Sequence, residues 1–299
     1  MGRTYRLLDV FTETPLTGNP LAVVLDAEGL ATADMQAIAS EFNLSETVFV
    51  LPAEDAGRRA RLRIFTPASE LPFAGHPLVG TAVCLRLLDQ GPEDGPSVLE
   101  VPAGPVRYRA TVESERSGRA TFNLPVLPQR IEGAVDLTLA ARALDLPANS
   151  IGFDRHALGV WSAGVPFLLV PLKDRDAVAR AGIVAGLWPE LKAQARTQGV
   201  FVYSRDCVDP AHQVHARMFA PGLGIAEDPA TGAAVATLAG QIVASEGPAD
   251  GLHRIVVEQG YEMGRPSLIT LELAMEAGRL RHAALGGHAV VVGEGRLYL

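Results

Sequence analysis

Arg63-Ile64-Phe65-Thr66-Pro67, a loop, and then His76-Pro77-Leu78-Val79-Gly80-Thr81-Ala82 have a later echo in the chain. The echo is Arg217-Met218-Phe219-Ala220-Pro221, a loop, and Asp228-Pro229-Ala230-Thr231-Gly232-Ala233-Ala234. The offset is 217 − 63 = 154 at the first element and 228 − 76 = 152 at the second, so the later copy is expected to have a loop two residues shorter. Each copy reads as strand, loop, helix. The strands alternate as half-buried strands do, and Pro suits the first position of a helix, where a missing N–H costs nothing. A period of about 150 residues is far too long for a solenoid and indicates a duplicated domain.

Working outward, each half gains matching flanks. Residues 10–25 open the first half with two apolar runs around Thr17-Gly18-Asn19-Pro20, and residues 158–172 open the second with a run containing Pro166. Residues 98–106 and 255–269 are strand-like and broken by Gly and Pro. The link is expected where Pro125, Pro128 and Gly133 cluster. The expectation is therefore an α/β (α+β) chain of two similar halves, residues 1–125 and 126–287, with a last strand at 288–299 crossing back to the first. Two such halves would make a cleft with a helix N-terminus aimed in from each side. Free N–H groups and a partial positive charge there suit a carboxylate or a developing enolate.

The bulk numbers narrow the function. The chain has 299 residues, 48% hydrophobic and 20% charged, enough for two cores. A net charge of −8 argues against binding nucleic acid. Its 2 cysteines, Cys84 and Cys207, fit no disulfide framework and suit a reducing cytoplasm. Asp9 interrupts the only apolar stretch near the N-terminus, so no secretory signal is read there. The apolar run at 159–172 is too short for a membrane span and contains Pro166. Gly222-Leu223-Gly224 is not a dinucleotide fingerprint, and there is no P-loop or nucleophile elbow. His212 and His215 are three apart with no carboxylate or cysteine arranged as a third ligand, so no zinc site is expected.

Three polar residues carry the chemical interest. Asp228 reads as a helix N-cap with Pro229 at the first helical position, a role compatible with lining a cleft. His76 holds the place matched to it in the first copy. Glu46, in Ser45-Glu46-Thr47-Val48-Phe49-Val50, stands before an apolar, β-prone run. It is either a solvated strand end or a carboxyl group delivered into a dry site, where it could take a proton from carbon and return it elsewhere.

These residues, with their neighbours, resemble the PhzF-like family of phenazine-biosynthesis isomerases. The passages that carry the resemblance are Asp9-Val10-Phe11-Thr12, Gly18-Asn19-Pro20-Leu21, Leu44-Ser45-Glu46-Thr47, Arg63 through His76, Glu227-Asp228-Pro229-Ala230-Thr231-Gly232, Glu258-Gln259-Gly260 and Gly264-Arg265-Pro266-Ser267. The resemblance implies a fold similar to diaminopimelate epimerase, with each half wrapping a sheet around a central helix. It implies that Glu46 shuttles a proton on an unsaturated cyclic amino acid without a cofactor. His76 and Asp228 would hold the substrate, and the backbone at Gly75, Gly232 and Ala233 would contact its carboxylate. It also implies a homodimer. Epimerases of this fold use one cysteine per half; Cys84 and Cys207 do not stand where such bases would. At position 233 the family pattern has Ser, so Ala233 withdraws one hydroxyl donor. That favours a different substrate, or a descendant that binds a metabolite or protein without turning it over. A third possibility is a racemase or epimerase using Glu46, His76 and Asp228.

Overall fold

The computed structural model describes residues 2–89, 96–197 and 199–299. The chain separates into two compact units. The first comprises Met1–Pro125, Arg265–Leu268 and Ala284–Leu299, and the second comprises Val126–Gly264 and Ile269–Ala283.

The first unit contains, in chain order, β1 (Arg3–Val10), β2 (Asn19–Val24), α1 (Thr32–Phe42), β3 (Glu46–Leu51), β4 (Ala60–Phe65), β5 (Glu70–Leu71), α2 (Gly75–Leu88), β6 (Ser97–Val101), β7 (Gly104–Val112) and β8 (Ser117–Asn123). The second contributes β9 (Gln129–Ile131), α3 (Leu137–Ala143), β10 (Gly159–Ser162), β11 (Pro166–Pro171), α4 (Arg175–Arg180), α5 (Trp188–Ala195), β12 (Gly199–Ser204), β13 (Val214–Ala220), β14 (Ile225–Asp228), α6 (Gly232–Glu246), β15 (Gly251–Gln259) and most of β16 (Ser267–Glu276). The long β17 (Arg279–Leu297) begins in the second unit and, from Ala284, belongs to the first.

In the first unit the registers close on themselves. β1 pairs with β2, β2 with β3, β3 with β4, β4 with β6, β6 with β7, β7 with β8, β8 with β17, and β17 with β1. Closure removes exposed sheet edges. The ring surrounds α2, whose residues from Gly75 through Leu85 are all buried. A helix without a polar face has to be enclosed, and small residues make the enclosure possible. A Cβ on Gly80 would sit 2.6 Å from Leu21 Cδ2 and 2.7 Å from Val10 Cγ2. The amphipathic α1 lies outside the ring and sets Met35, Ile38 and Ala39 against Phe49 and Phe65.

The second unit repeats this pairing plan. β10–β11, β12–β13 and β13–β14 are antiparallel and β11–β12 and β13–β15 parallel. These match β1–β2, β3–β4, β4–β5, β2–β3 and β4–β6. The segment expected as a linker supplies β9, which pairs with β10 as β17 pairs with β1. The central helix is α6, rich in Ala and Gly and buried along most of its length. At Gly240 a Cβ would meet Trp161 at 2.4 Å, so β10 and α6 approach through glycine. Among the described residues no helix is long and apolar enough to cross a membrane.

Candidate active site

The first half-site is built where β2, β3 and α2 meet. The parallel β2–β3 register pairs Leu21 with Glu46, making Glu46 the first residue of β3, and its side chain is buried rather than solvated. His76 is the second residue of α2 and is also buried. Its Nε2 lies 3.4 Å from Glu46 Oε2. On the other side of the ring, Asn19 Nδ2 lies 3.4 Å from His76 Nδ1. Burial pushes the His76 imidazole down to about 3, so it is neutral throughout the physiological range. The residue before α2 is Ala74, which has no side-chain oxygen to cap the helix. The backbone N–H groups of Gly75 and His76 therefore stand at an N-terminus without a side-chain cap, beside the Glu46–His76 pair. Pro77, third in the helix, supplies no N–H.

The second half-site centres on Asp228, Thr231 and Gln259, all buried. The Thr231 hydroxyl donates to Asp228 Oδ2 at 2.5 Å. Gln259 Nε2 donates to the Asp228 carbonyl at 2.7 Å and to Thr231 Oγ1 at 3.1 Å, while its Oε1 accepts from Thr231 N at 3.0 Å. The α6 N-cap position is Thr231, whose side chain is committed to Asp228 and does not cap the helix. Gly232 and Ala233 are the first two helical residues.

This arrangement corrects the expected repeat. Asp228 is not an N-cap and Pro229 is not in the helix; Asp228 closes β14, opposite Met218. The helices begin at Gly75 and Gly232, an offset of 232 − 75 = 157. Glu70 and Glu227 fix the same register, since each precedes its helix by five residues (75 − 70 and 232 − 227) and each grips the arginine of the preceding strand. The loop of the second copy is longer by 157 − 154 = 3, not shorter by two, and the turn Pro221–Leu223 occupies the insertion. The His-Pro and Asp-Pro dipeptides look alike in sequence, but in this register His76 is matched by Ala233, and Asp228 by Leu71. Glu46 also has a counterpart. Thr47 pairs with Phe65 and Val200 with Phe219, so the residue matching Glu46 is Gly199. A Cβ there would lie 2.9 Å from the Phe219 carbonyl oxygen.

Neither cysteine stands at a helix start. Cys84 is buried inside α2, where burial pushes its thiol up to about 11, and burial together with Glu258 pushes Cys207 up to about 12. Among the described residues one histidine and two carboxylates could converge on an ion: His288 Nδ1 lies 3.0 Å from Glu13 Oε1 and 2.9 Å from Glu113 Oε2. This group is largely exposed and shares no residue with either half-site. The roles that sequence reasoning missed are those of Asn19, Thr231 and Gln259. All three stood in quoted motifs, but only the paired strands show what they touch.

The family model described as phenazine biosynthesis-like protein matches residues 8–295. The chain belongs to this PhzC-PhzF family. Across 99% of both chains it is 46% identical to an uncharacterized isomerase from Mesorhizobium japonicum. It is 32% identical, again across 99% of both, to the trans-2,3-dihydro-3-hydroxyanthranilate isomerase of Pseudomonas fluorescens. The crystal structure of a PhzF-family protein from Bacillus anthracis superposes with a TM-score of 0.89 at 27% identity, covering 100% of each chain. The two-unit α/β architecture is thus that of the PhzC-PhzF family.

Proposed function

We propose that the chain is an isomerase that moves a proton between two carbons of a small carboxylated, cyclic amino-acid-like substrate, with Glu46 as the base. The isomerase names of its relatives support the reaction class. The observation that most supports the assignment is the inequality of the halves. A buried carboxyl and imidazole lie 3.4 Å apart in one, and the matching positions in the other are Gly199 and Ala233. A racemase needs two groups that exchange protons on opposite faces of one carbon. A single base that takes a proton and returns it elsewhere is what a double-bond shift requires. In this reading neutral His76 and Asp228 hold and polarise the substrate. The N–H groups of Gly75, Gly232 and Ala233 receive its carboxylate, as uncapped helix N-termini suit an anion. No metal, flavin or nicotinamide takes part. The same proposal places the protein in the cytoplasm as a homodimer.

Ala233 favours a second reading, a protein that binds such a ligand without turning it over. One experiment separates the two. The protein is incubated in heavy water with trans-2,3-dihydro-3-hydroxyanthranilate and a panel of unsaturated cyclic amino acids, and deuterium uptake is followed by NMR. The isomerase reading expects carbon-bound deuterium with one compound, slowed about 10²- to 10⁴-fold in Glu46→Gln while binding persists. Binding without exchange in the wild type would favour the second reading. Full exchange in Glu46→Gln would remove Glu46 as the base.

A further inference from the structure

Two of the sequence motifs, Gly18-Asn19-Pro20 and Gly264-Arg265-Pro266-Ser267, have so far no chemical role. Gly18 and Arg265 are 247 residues apart, yet both belong to the first unit and touch each other. Arg265 Nε donates to the Gly18 carbonyl at 2.7 Å. Its Nη2 donates to the Thr17 carbonyl at 2.7 Å and to Asp9 Oδ1 at 2.6 Å. Asp9 Oδ2 accepts from the backbone N–H of Leu16 at 2.6 Å. Gly18 N donates to the Pro266 carbonyl at 3.1 Å, and Leu268 N to that of Phe11 at 2.7 Å. One guanidinium fork and one buried carboxylate thus clamp the loop between β1 and β2.

The loop needs the clamp. Phe11 and Leu16 adopt positive φ values of 65° and 68°, a conformation that non-glycine residues seldom hold unaided. At Gly18 φ is 68°, and a Cβ would come within 2.4 Å of the Val10 carbonyl oxygen. The residue this loop delivers is Asn19, buried against His76.

We infer that Asn19 and Arg265 are positioning residues that hold His76 in the tautomer with its proton on Nε2. An amide nitrogen only donates, so the ring nitrogen facing Asn19 Nδ2 must accept. That leaves the proton on Nε2, the atom 3.4 Å from Glu46 Oε2. The neutral ring then turns a donor, not a lone pair, toward the carboxyl group and whatever it binds. The Arg265–Asp9 clamp acts one step further back, by fixing the turn that carries Asn19. The inference rests on reading Glu46 and His76 as the working pair, but its test needs no substrate.

The test is long-range ¹H–¹⁵N NMR on the imidazoles of the full-length protein, with His76 assigned by its loss in His76→Gln. The wild type is expected to show a protonated Nε2 and a bare Nδ1 at pH 7, unchanged down to pH 5. Asn19→Ala is expected to lower the ratio of the Nε2–H to the Nδ1–H tautomer by about three- to tenfold, the worth of one hydrogen bond. Arg265→Lys keeps the charge beside Asp9 but loses the fork. It is expected to shift the ratio in the same direction by a smaller factor, with Asp9→Asn as a second probe of the clamp. A wild-type ring protonated on Nδ1, or an unchanged ratio in folded Asn19→Ala, overturns the assignment to Asn19. An unchanged ratio in both clamp variants overturns the role of Arg265. If instead Glu46→Gln keeps full exchange while these tautomer shifts occur, the isomerase reading fails and the positioning inference stands.

Discussion

Arg63 with Glu70 and Arg217 with Glu227 make the same object twice. Each arginine lies on the first strand of the hairpin that leads to the central helix, β4 or β13, and donates through Nε and Nη2 to both oxygens of its glutamate, at 2.6–2.9 Å. Each guanidinium also stacks over the phenylalanine two residues on, 5.1 Å from the Phe65 ring and 4.8 Å from Phe219. The positions these clamps present are nevertheless unlike: Glu46 and His76 in one unit, Gly199 and Ala233 in the other. The duplication has kept the hairpin that aims each central helix and let the chemistry diverge. Scaffold and site answer to different constraints, because any substrate needs the helix aimed, whereas the proposed proton shift needs one base only.

The largest contrast expected is in stability. Arg217 Nη1 also donates to the carbonyls of Val178, Ala179 and Ala181 at the end of α4, whereas Arg63 Nη1 donates, among the described residues, to the Thr32 hydroxyl. Arg217→Ala leaves several acceptors unpaired and is expected to cost about 3 kcal/mol, against about 1.5 kcal/mol for Arg63→Ala. Urea denaturation measures both, and equal losses would show that the clamps are interchangeable.

Two buried histidines offer a contrast in pH dependence. His76 has its folded-state value depressed to about 3 by burial. Unfolded chains therefore bind more protons than folded ones between about pH 3 and the ordinary histidine value of 6.5. His76 should make stability fall as pH drops through that window, with a slope of at most about 1.4 kcal/mol per pH unit, and leave it flat above. His215 in the second unit behaves oppositely. Burial opposes its charge, but Glu258 and Glu262 outweigh burial and raise it to about 9. Its contribution is full below pH 6.5 and is lost as pH rises through 9. Denaturant titrations from pH 4 to 10 on His76→Gln and His215→Gln should flatten the acid and the alkaline side respectively.

The smallest expected effect tests the matched pair directly. Ala233→Ser places a hydroxyl at the position in the second unit that matches His76 and should change stability by less than about 0.5 kcal/mol. With a ligand that offers an acceptor there, affinity should rise about three- to tenfold, measured by calorimetry with trans-2,3-dihydro-3-hydroxyanthranilate. No change would mean that the missing donor does not select this ligand.

The duplication was legible in the sequence because both copies keep Arg-x-Phe on a strand, with the arginine and phenylalanine on one face and a buried apolar residue, Ile64 or Met218, on the other. The strand at Glu46 was legible because the five residues after the carboxylate, Thr47 to Leu51, are all buried and the last four of them are apolar. The true register of the second block was not legible. Pro77 and Pro229 offered a false anchor, and the three-residue turn Pro221–Leu223 leaves no mark that distinguishes it from any Gly-rich loop. Nor could the sequence reveal Asn19 against His76, or Gln259 against Thr231, since these contacts depend on which strands become neighbours.

The strand β17 has a consequence for biosynthesis. Residues 284–297 are the stave that joins β1 to β8. A ribosome releases β1 through β8 first, yet the first barrel cannot close until the last stave has emerged behind the whole second unit. Through that interval the nascent barrel carries two open sheet edges, at β1 and β8. The second unit, which ends at Ala283, has been released in full before that stave. The half that carries Glu46 and His76 is therefore the last to be completed, although it is the first to be made.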